Sequence, residues 1–230
     1  MIKSTIKDVA RVAGVSDTTV SLAFQPNSRI SERTRARVLS VAAQLSYAPN
    51  LAAKNLRNGS SRTIGFVVND VLNPFYLQMF RKAEDIALQH GYGVIFAGSN
   101  WSAEKERHLF EQMIQMRVCG MVLCLCEKSS DGIATLDRFS VPYIAVDSYP
   151  GWYAGSYVAN DFCMAGELAA KHLLVQGCRR PAYFTADRAM NNLSAFIEMQ
   201  KSFIAYFNRK GIEITQADVI EAGLCIQGGA

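Results

Sequence analysis

The chain has 230 residues, half of them hydrophobic, which is enough to bury one large core and a small one beside it and excludes a wholly disordered protein. Its net charge of +4 is uneven: ten Lys and Arg stand against three Asp and Glu up to Arg62, and fourteen against seventeen after it. A polyanion would therefore meet only the head of the chain, although a merely solvated basic surface has the same composition. No window approaches about eighteen uncharged apolar residues, and the N-terminal stretch lacks the apolar core of a signal peptide, so the expectation is a cytoplasmic protein with no membrane partner.

The first segment reads as three short helices. Ile6, Val9, Ala10 and Ala13 recur at helical spacing and Gly14 ends that helix. Ser16 is placed to cap a second helix from Asp17 to about Ala23, with Asp17 toward the positive end of its dipole. Two helices joined by a turn of about three or four residues containing Gly define a helix-turn-helix. After a loop over residues 25–30, Ser31 caps a third helix whose Val38, Val41, Ala42 and Leu45 can close a small core. The exposed face of the second helix carries Asp17, Thr18, Ser21 and Leu22, which in such a unit reach base edges in the major groove. Hydroxyls at Thr5, Ser16, Thr19, Ser21, Ser31 and Thr34 can bond phosphate oxygens, or can serve only as caps and solvated polar groups.

A second segment runs from Tyr47 to Arg62. Pro49 and Asn50 can start a helix there and Gly59 can end it, an interval of only about two turns that is marginal alone in water. Such a helix is expected to order against DNA or a symmetry mate. Leu56 beside Lys54 and Arg57 suits a wedge in a minor-groove base step; the plainer reading is a flexible linker with one stray leucine.

The third segment alternates apolar runs with amphipathic stretches. Residues 63–69, 94–97, 120–126, 143–147 and 181–185 read as buried strands. Between them lie Leu109, Phe110, Met113 and Ile114, and then Leu168, Ala169, His172 and Leu173. Repeated βα units with continuously apolar strands imply a parallel sheet covered on both faces. Ligands of such folds bind at the carboxyl ends of strands, here Asn69-Asp70, Gly98-Ser99-Asn100, Asp147-Ser148 and Thr185-Ala186-Asp187. Asp187 and Arg188 fit either a pocket or a solvated turn.

The sequence contains no dinucleotide-binding or phosphate-loop glycine pattern, no nucleophile elbow and no His-rich metal pair, and His90, His108 and His172 lie far apart on expected helices. The six cysteines, Cys119, Cys124, Cys126, Cys163, Cys178 and Cys225, sit in or beside apolar runs and read as small core hydrophobes. Enzyme, cofactor and metal chemistry are therefore not expected. A solute-binding protein would fit the third segment but would need export.

Several runs carry a resemblance. They are Thr5-Ile-Lys-Asp-Val-Ala-Arg-Val-Ala-Gly-Val-Ser, Thr-Val-Ser at 19–21, Ile30-Ser-Glu-Arg-Thr-Arg, Tyr47-Ala-Pro-Asn, Arg62-Thr-Ile-Gly-Phe-Val-Val, Asn73-Pro-Phe-Tyr, Gly91-Tyr, Val118-Cys-Gly and Val141-Pro. Together they resemble the lactose repressor (LacI/GalR) family over nearly the whole chain. The resemblance implies an all-α helix-turn-helix headpiece (1–47), a hinge helix and linker (48–61) and an α/β effector domain like periplasmic binding proteins (62–230). It also implies a nucleoid-associated homodimer on a palindromic operator, and a sugar-like small-molecule effector. By motif match Asp17, Thr18 and Leu22 would read bases and Leu56 would intercalate. Thr5, Ile6, Ser16, Thr19, Ser21, Ser31, Thr34, Tyr47, Asn50, Ala53, Lys54 and Arg57 would complete the DNA-facing set. Phe75, Tyr76 and Asp147 would line the effector cleft, and Asp187 is placed with them from its strand end.

Three departures bear on that carry-over. Leu22 stands where many members have Arg, which removes a guanine contact and leaves a side chain suited to a thymine methyl. Met199, ahead of Ser202-Phe203, stands where the family's ligand-gripping Arg is expected, so a bidentate grip is lost. The chain also stops about two thirds of the way through the family's length, which implies an effector domain incomplete at its C-terminus with unpaired sheet edges. The alternative function is then a truncated regulator, inactive itself or interfering with a full-length homologue by pairing with it.

Overall fold

The computed structural model describes residues 4–25, 28–49, 61–126, 131–186 and 193–222. The chain divides into two compact units, residues 1–61 and 62–230.

The first unit contains helices α1 (Ile6–Ala13), α2 (Asp17–Ala23) and α3 (Glu32–Gln44). Thr5 and Asp8 form a reciprocal capping box at the start of α1, and Gly14, at φ 64°, ends it in the left-handed region where a side chain would be strained. Ser16 and Ser31 cap α2 and α3 by accepting from the backbone N–H of Thr19 and Thr34. Val9, Ala10, Ala13, Val20, Ala23, Val38 and Ala42 form the buried centre, with Ile6, Val41, Leu45 and Tyr47 packed around it. A seven-residue helix such as α2 would not persist alone, so burial of Val20 and Ala23 fixes it.

Arg35 supplies a further tie. Its Nη1 donates to the carbonyls of Ala23 (3.1 Å) and Gln25 (2.8 Å), and its Nη2 to Ser28 Oγ (2.9 Å). Its Nε lies 3.5 Å from Glu32 Oε1, an ion-pair contact without a hydrogen bond. A charged fork thus satisfies the carbonyls left over at the end of α2. Replacing Arg35 by Ala is expected to lower headpiece stability by about 2 kcal/mol, read from the thermal unfolding midpoint. Lys should recover only part of the loss, since one ammonium cannot span three acceptors.

The second unit starts with a parallel sheet in the order β2-β1-β3-β4-β5, made of β1 (Thr63–Val68), β2 (Gly93–Gly98), β3 (Gly120–Leu123), β4 (Tyr143–Val146) and β5 (Tyr157–Val158). Helices α4 (Pro74–Gln89), α5 (Ala103–Gln115) and α6 (Asp131–Arg138) connect its first four strands. Alternation along β1 sends Phe66 and Val68 toward a cluster with Tyr76, Met79 and Phe80 of α4. Val67 points the other way, to Phe110 and Met113 of α5 and to Ile133 and Leu136 of α6. Parallel β6 (Tyr183–Ala186) and β7 (Val219–Ala222) form a second sheet, with α7 (Phe162–Val175) and α8 (Ser194–Arg209) beside it. Among the described residues, no helix is long and apolar enough to cross a membrane.

Strands at the five expected apolar runs are present; β5 and β7 were not foreseen. One expected stripe is also corrected. On α7 the buried residues are Phe162, Gly166 and Ala170, whereas Leu168, Ala169 and His172 face solvent. The face is chosen by Gly166, whose missing side chain lets the backbone of α8 approach: a Cβ there would lie 2.3 Å from the Met199 carbonyl oxygen and 2.1 Å from Ser202 Oγ. Met199, the residue in place of the expected arginine, is thus part of the α7–α8 seam.

Candidate nucleic-acid interface and effector cleft

On the headpiece, Asp17 and Thr18 are exposed at the first turn of α2, and Ser21 and Leu22 are half-buried one turn further on. Tyr47 is also half-buried, edge-on to Phe24 with ring centroids 6.0 Å apart. Burial raises its phenol above the usual range, and the nearby negative charge of Asp17 adds to this.

The candidate phosphate-binding hydroxyls are largely engaged in caps. Thr5 Oγ1 donates to Asp8 Oδ2 at 2.7 Å, and the Thr5 backbone N–H bond to the same carboxylate, followed by this hydroxyl bond, holds Asp8 below the ordinary carboxylate range. Ser16 Oγ and Thr19 Oγ1 are 2.9 Å apart, as are Ser31 Oγ and Thr34 Oγ1. Each pair shares one proton internally and has a second to donate outward, so capping and phosphate contact are compatible. Ile6 is half-buried against the core. Asn50, Ala53, Lys54, Leu56 and Arg57 lie outside the described residues, as does Asp187.

In the second unit, the carboxyl ends of four neighbouring strands are cross-tied in sheet order. Ser99 Oγ, after β2, donates to Asn69 Oδ1 (3.5 Å), after β1. The Asn69 amide donates to Cys124 Sγ (3.4 Å) and the Leu125 carbonyl (3.1 Å), after β3. The Leu125 N–H donates to Ser148 Oγ (3.0 Å), after β4. All three polar side chains are buried, so they position the strand ends rather than face a ligand.

Above this ladder the phenol of Tyr76 donates to Asp147 Oδ2 at 3.5 Å. Phe75 is 42% exposed, with its ring 5.3 Å from that of Tyr76. Phe75, Tyr76 and Asp147, the expected cleft residues, therefore come together although 71 residues separate Tyr76 from Asp147 in the chain. Asp147 adopts φ 59°, a left-handed conformation that non-glycine residues seldom hold without a local role. Partial burial raises its carboxyl above the ordinary value, against hydrogen bonds from Tyr76 and Asn160 that lower it. Burial pushes the Cys124 thiol up to about 12, which keeps it neutral. The arrangement offers an acceptor, a phenol and an exposed aromatic face at a strand edge, the chemistry that holds a polyhydroxylated ring.

Sequence reasoning missed Glu106, a buried acid in the first turns of α5 whose Oε2 accepts from the Cys126 N–H at 2.7 Å. Its helical spacing from Phe110 and Met113 was the available signal. Burial pushes its carboxyl up to about 7 from an ordinary 4.5, and the bond from Cys126 only partly opposes this. In the folded protein the acid is protonated below that range, so ionisation costs stability as pH rises from about 4.5 through about 7, by about 3 kcal/mol in full. Glu106→Gln keeps an acceptor for Cys126 and removes the ionisation. It is expected to raise the denaturation midpoint at pH 8 and leave it nearly unchanged at pH 4.5; equal shifts at both would exclude this origin.

Two family models match the chain: "Bacterial regulatory proteins, lacI family" over residues 5–50, and "Periplasmic binding proteins and sugar binding domain of LacI family" over residues 61–228. The HTH-type transcriptional regulator DegA of Bacillus subtilis (strain 168) is 28% identical, over 99% of this chain and 68% of its own. The ribose operon repressor of Escherichia coli (strain K12) is 27% identical, over 98% and 68%. Among solved structures, the Lac repressor bound to ONPG in the repressed state superposes with a TM-score of 0.79 at 22% identity, over 98% of this chain and 68% of that one. A periplasmic binding protein/LacI transcriptional regulator from Alkaliphilus metalliredigens QYMF, complexed with D-xylulofuranose, gives 0.60 at 26% identity, over 70% and 56%. The chain spans about two thirds of the length of DegA and the ribose operon repressor. With both matches lying on the two units that the structure separates, this chain belongs to the LacI family of bacterial regulatory proteins.

Proposed function

We propose that this protein is a sequence-specific transcriptional repressor that binds a palindromic operator as a homodimer and is modulated by a sugar-like effector. The observation that carries the reading is the helix-turn-helix itself. Its second helix is held by Val20 and Ala23 over a closed core and turns Asp17 and Thr18 outward, with Ser21 and Leu22 beside them. In this reading those side chains meet base edges, Leu22 touches a thymine methyl, and the outward hydroxyl protons of the two capping pairs go to phosphates. Leu56, with Lys54 and Arg57, enters the central minor groove.

The effector rests against Phe75, Tyr76 and Asp147. A sugar there is supported by the phenol, carboxylate and aromatic face at the strand ends, and by the D-xylulofuranose held by the Alkaliphilus relative. Its binding alters closure of the cleft and thereby the spacing of the two headpieces. The protein acts in the cytoplasm, on the nucleoid.

The test is selection of genomic DNA fragments by the purified chain, beside gel filtration of the free protein and release assays with a panel of pentoses and hexoses. The expected result is one enriched palindrome, a dimer on the column, and release or retention by one sugar class that Asp147→Ala abolishes. A chain that enriches no sequence would overturn the reading.

A further inference from the structure

A hollow of about 410 Å³, apart from the Tyr76–Asp147 pair, lies between α6 and the loop that follows β4. Asp137, Tyr143, Trp152 and Tyr153 line it, with Ile133 and Ala134 of α6. None of these belongs to the Tyr76–Asp147 site or to the hydrogen-bonded ladder beneath it. Its volume falls in the range of small-molecule pockets.

Its chemistry is selective. The rings of Tyr143 and Tyr153 have centroids 6.3 Å apart, and Trp152 stands edge-on to Tyr153, also at 6.3 Å. Asp137 is exposed and has no ion-pair partner among the described residues. Its Oδ1 accepts from the Tyr143 phenol at 2.7 Å, which fixes the carboxylate among the rings and leaves Oδ2 open. The Tyr153 phenol is also committed, donating to the Ser156 carbonyl at 2.9 Å.

Both phenol protons are donated inside the hollow, so Asp137 Oδ2 and the aromatic lining are what it presents to a ligand. A compact organic cation matches this lining, an exposed carboxylate with no ion-pair partner among the described residues beside three aromatic side chains. We propose that this hollow is a binding site for a small alkylated ammonium ion, separate from the effector cleft. The loop that supplies Trp152 and Tyr153 begins at Asp147, so a cation bound there is held by the same segment that carries the cleft carboxylate.

The test is calorimetric titration of the full chain with choline chloride, run beside 3,3-dimethylbutan-1-ol, which has the same shape without the charge, and D-ribose, with ionic strength held by KCl. Choline is expected to bind with a dissociation constant on the order of millimolar, and the neutral isostere at least about tenfold more weakly. Asp137→Asn and Trp152→Ala, each at an exposed side chain, should each weaken choline at least about tenfold while leaving the thermal midpoint and operator binding unchanged. Equal binding of choline and its neutral isostere, binding of ribose that both variants abolish, or no heat with choline up to about 100 mM would each overturn the proposal.

Discussion

Operator affinity is expected to fall by about a thousandfold or more between 50 and 200 mM salt, with a log–log slope steeper than about −5. The reason is the charge distribution. Ten Lys and Arg lie in the first 62 residues against three acids, and the proposed dimer would double that number at the DNA. Each phosphate neutralised releases condensed counterions, so the slope counts contacts. Arg35 should not contribute, because its guanidinium is spent on Ala23, Gln25 and Ser28. Replacing it should shift affinity only through headpiece stability and leave the slope unchanged. Leu56→Ala should reduce specific binding more than non-specific binding at every salt concentration, since a wedge acts on base stacking and not on phosphates. Filter binding or anisotropy across a salt series checks all three, and a flat response would contradict docking of the headpiece on DNA.

Gly166→Ala is expected to cost about 3 kcal/mol or more and to abolish the native packing of α7 on α8. Overpacking at a flexible side chain is often absorbed, but here the added Cβ meets the Met199 carbonyl oxygen at 2.3 Å, and backbone in a helix cannot step aside alone. Relief requires the two helices to separate. That would expose Ala170, Phe203 and Phe207, which are buried together with Ile214. Gly151→Ala is the matched control, since nothing lies within 4 Å of a Cβ at that position, and it should stay within about 0.5 kcal/mol. Denaturant titration distinguishes the two. A Gly166→Ala chain as stable as the control would mean that the α7–α8 seam is looser than its geometry indicates.

The headpiece was legible in the sequence because its determinants are local. Caps at Thr5, Ser16 and Ser31 lie one turn from the N–H groups they satisfy, and the stripe of Ile6, Val9, Ala10 and Ala13 repeats within a single helix. The five apolar runs announced strands for a similar reason, since burial on both faces needs only consecutive apolar residues. Asp147 and Tyr76 came from motif resemblance, and their strand-end positions agreed with the fold class.

What tertiary structure alone decided concerns contacts between distant segments. Whether Leu168 or Ala170 faced inward depended on the absence of a side chain at Gly166, and on where α8 then ran; helical periodicity permitted either face. Asn69, Ser99 and Ser148 were visible as polar strand ends, but their role as a ladder follows from the strand order β2-β1-β3-β4, which places chain-distant residues side by side. Glu106 reads as an ordinary solvated helix charge until β3 brings the Cys126 N–H over it, and burial then makes the charge expensive. Periodicity and capping are written within a few turns of chain, whereas desolvation and close approach belong to neighbours that only folding supplies.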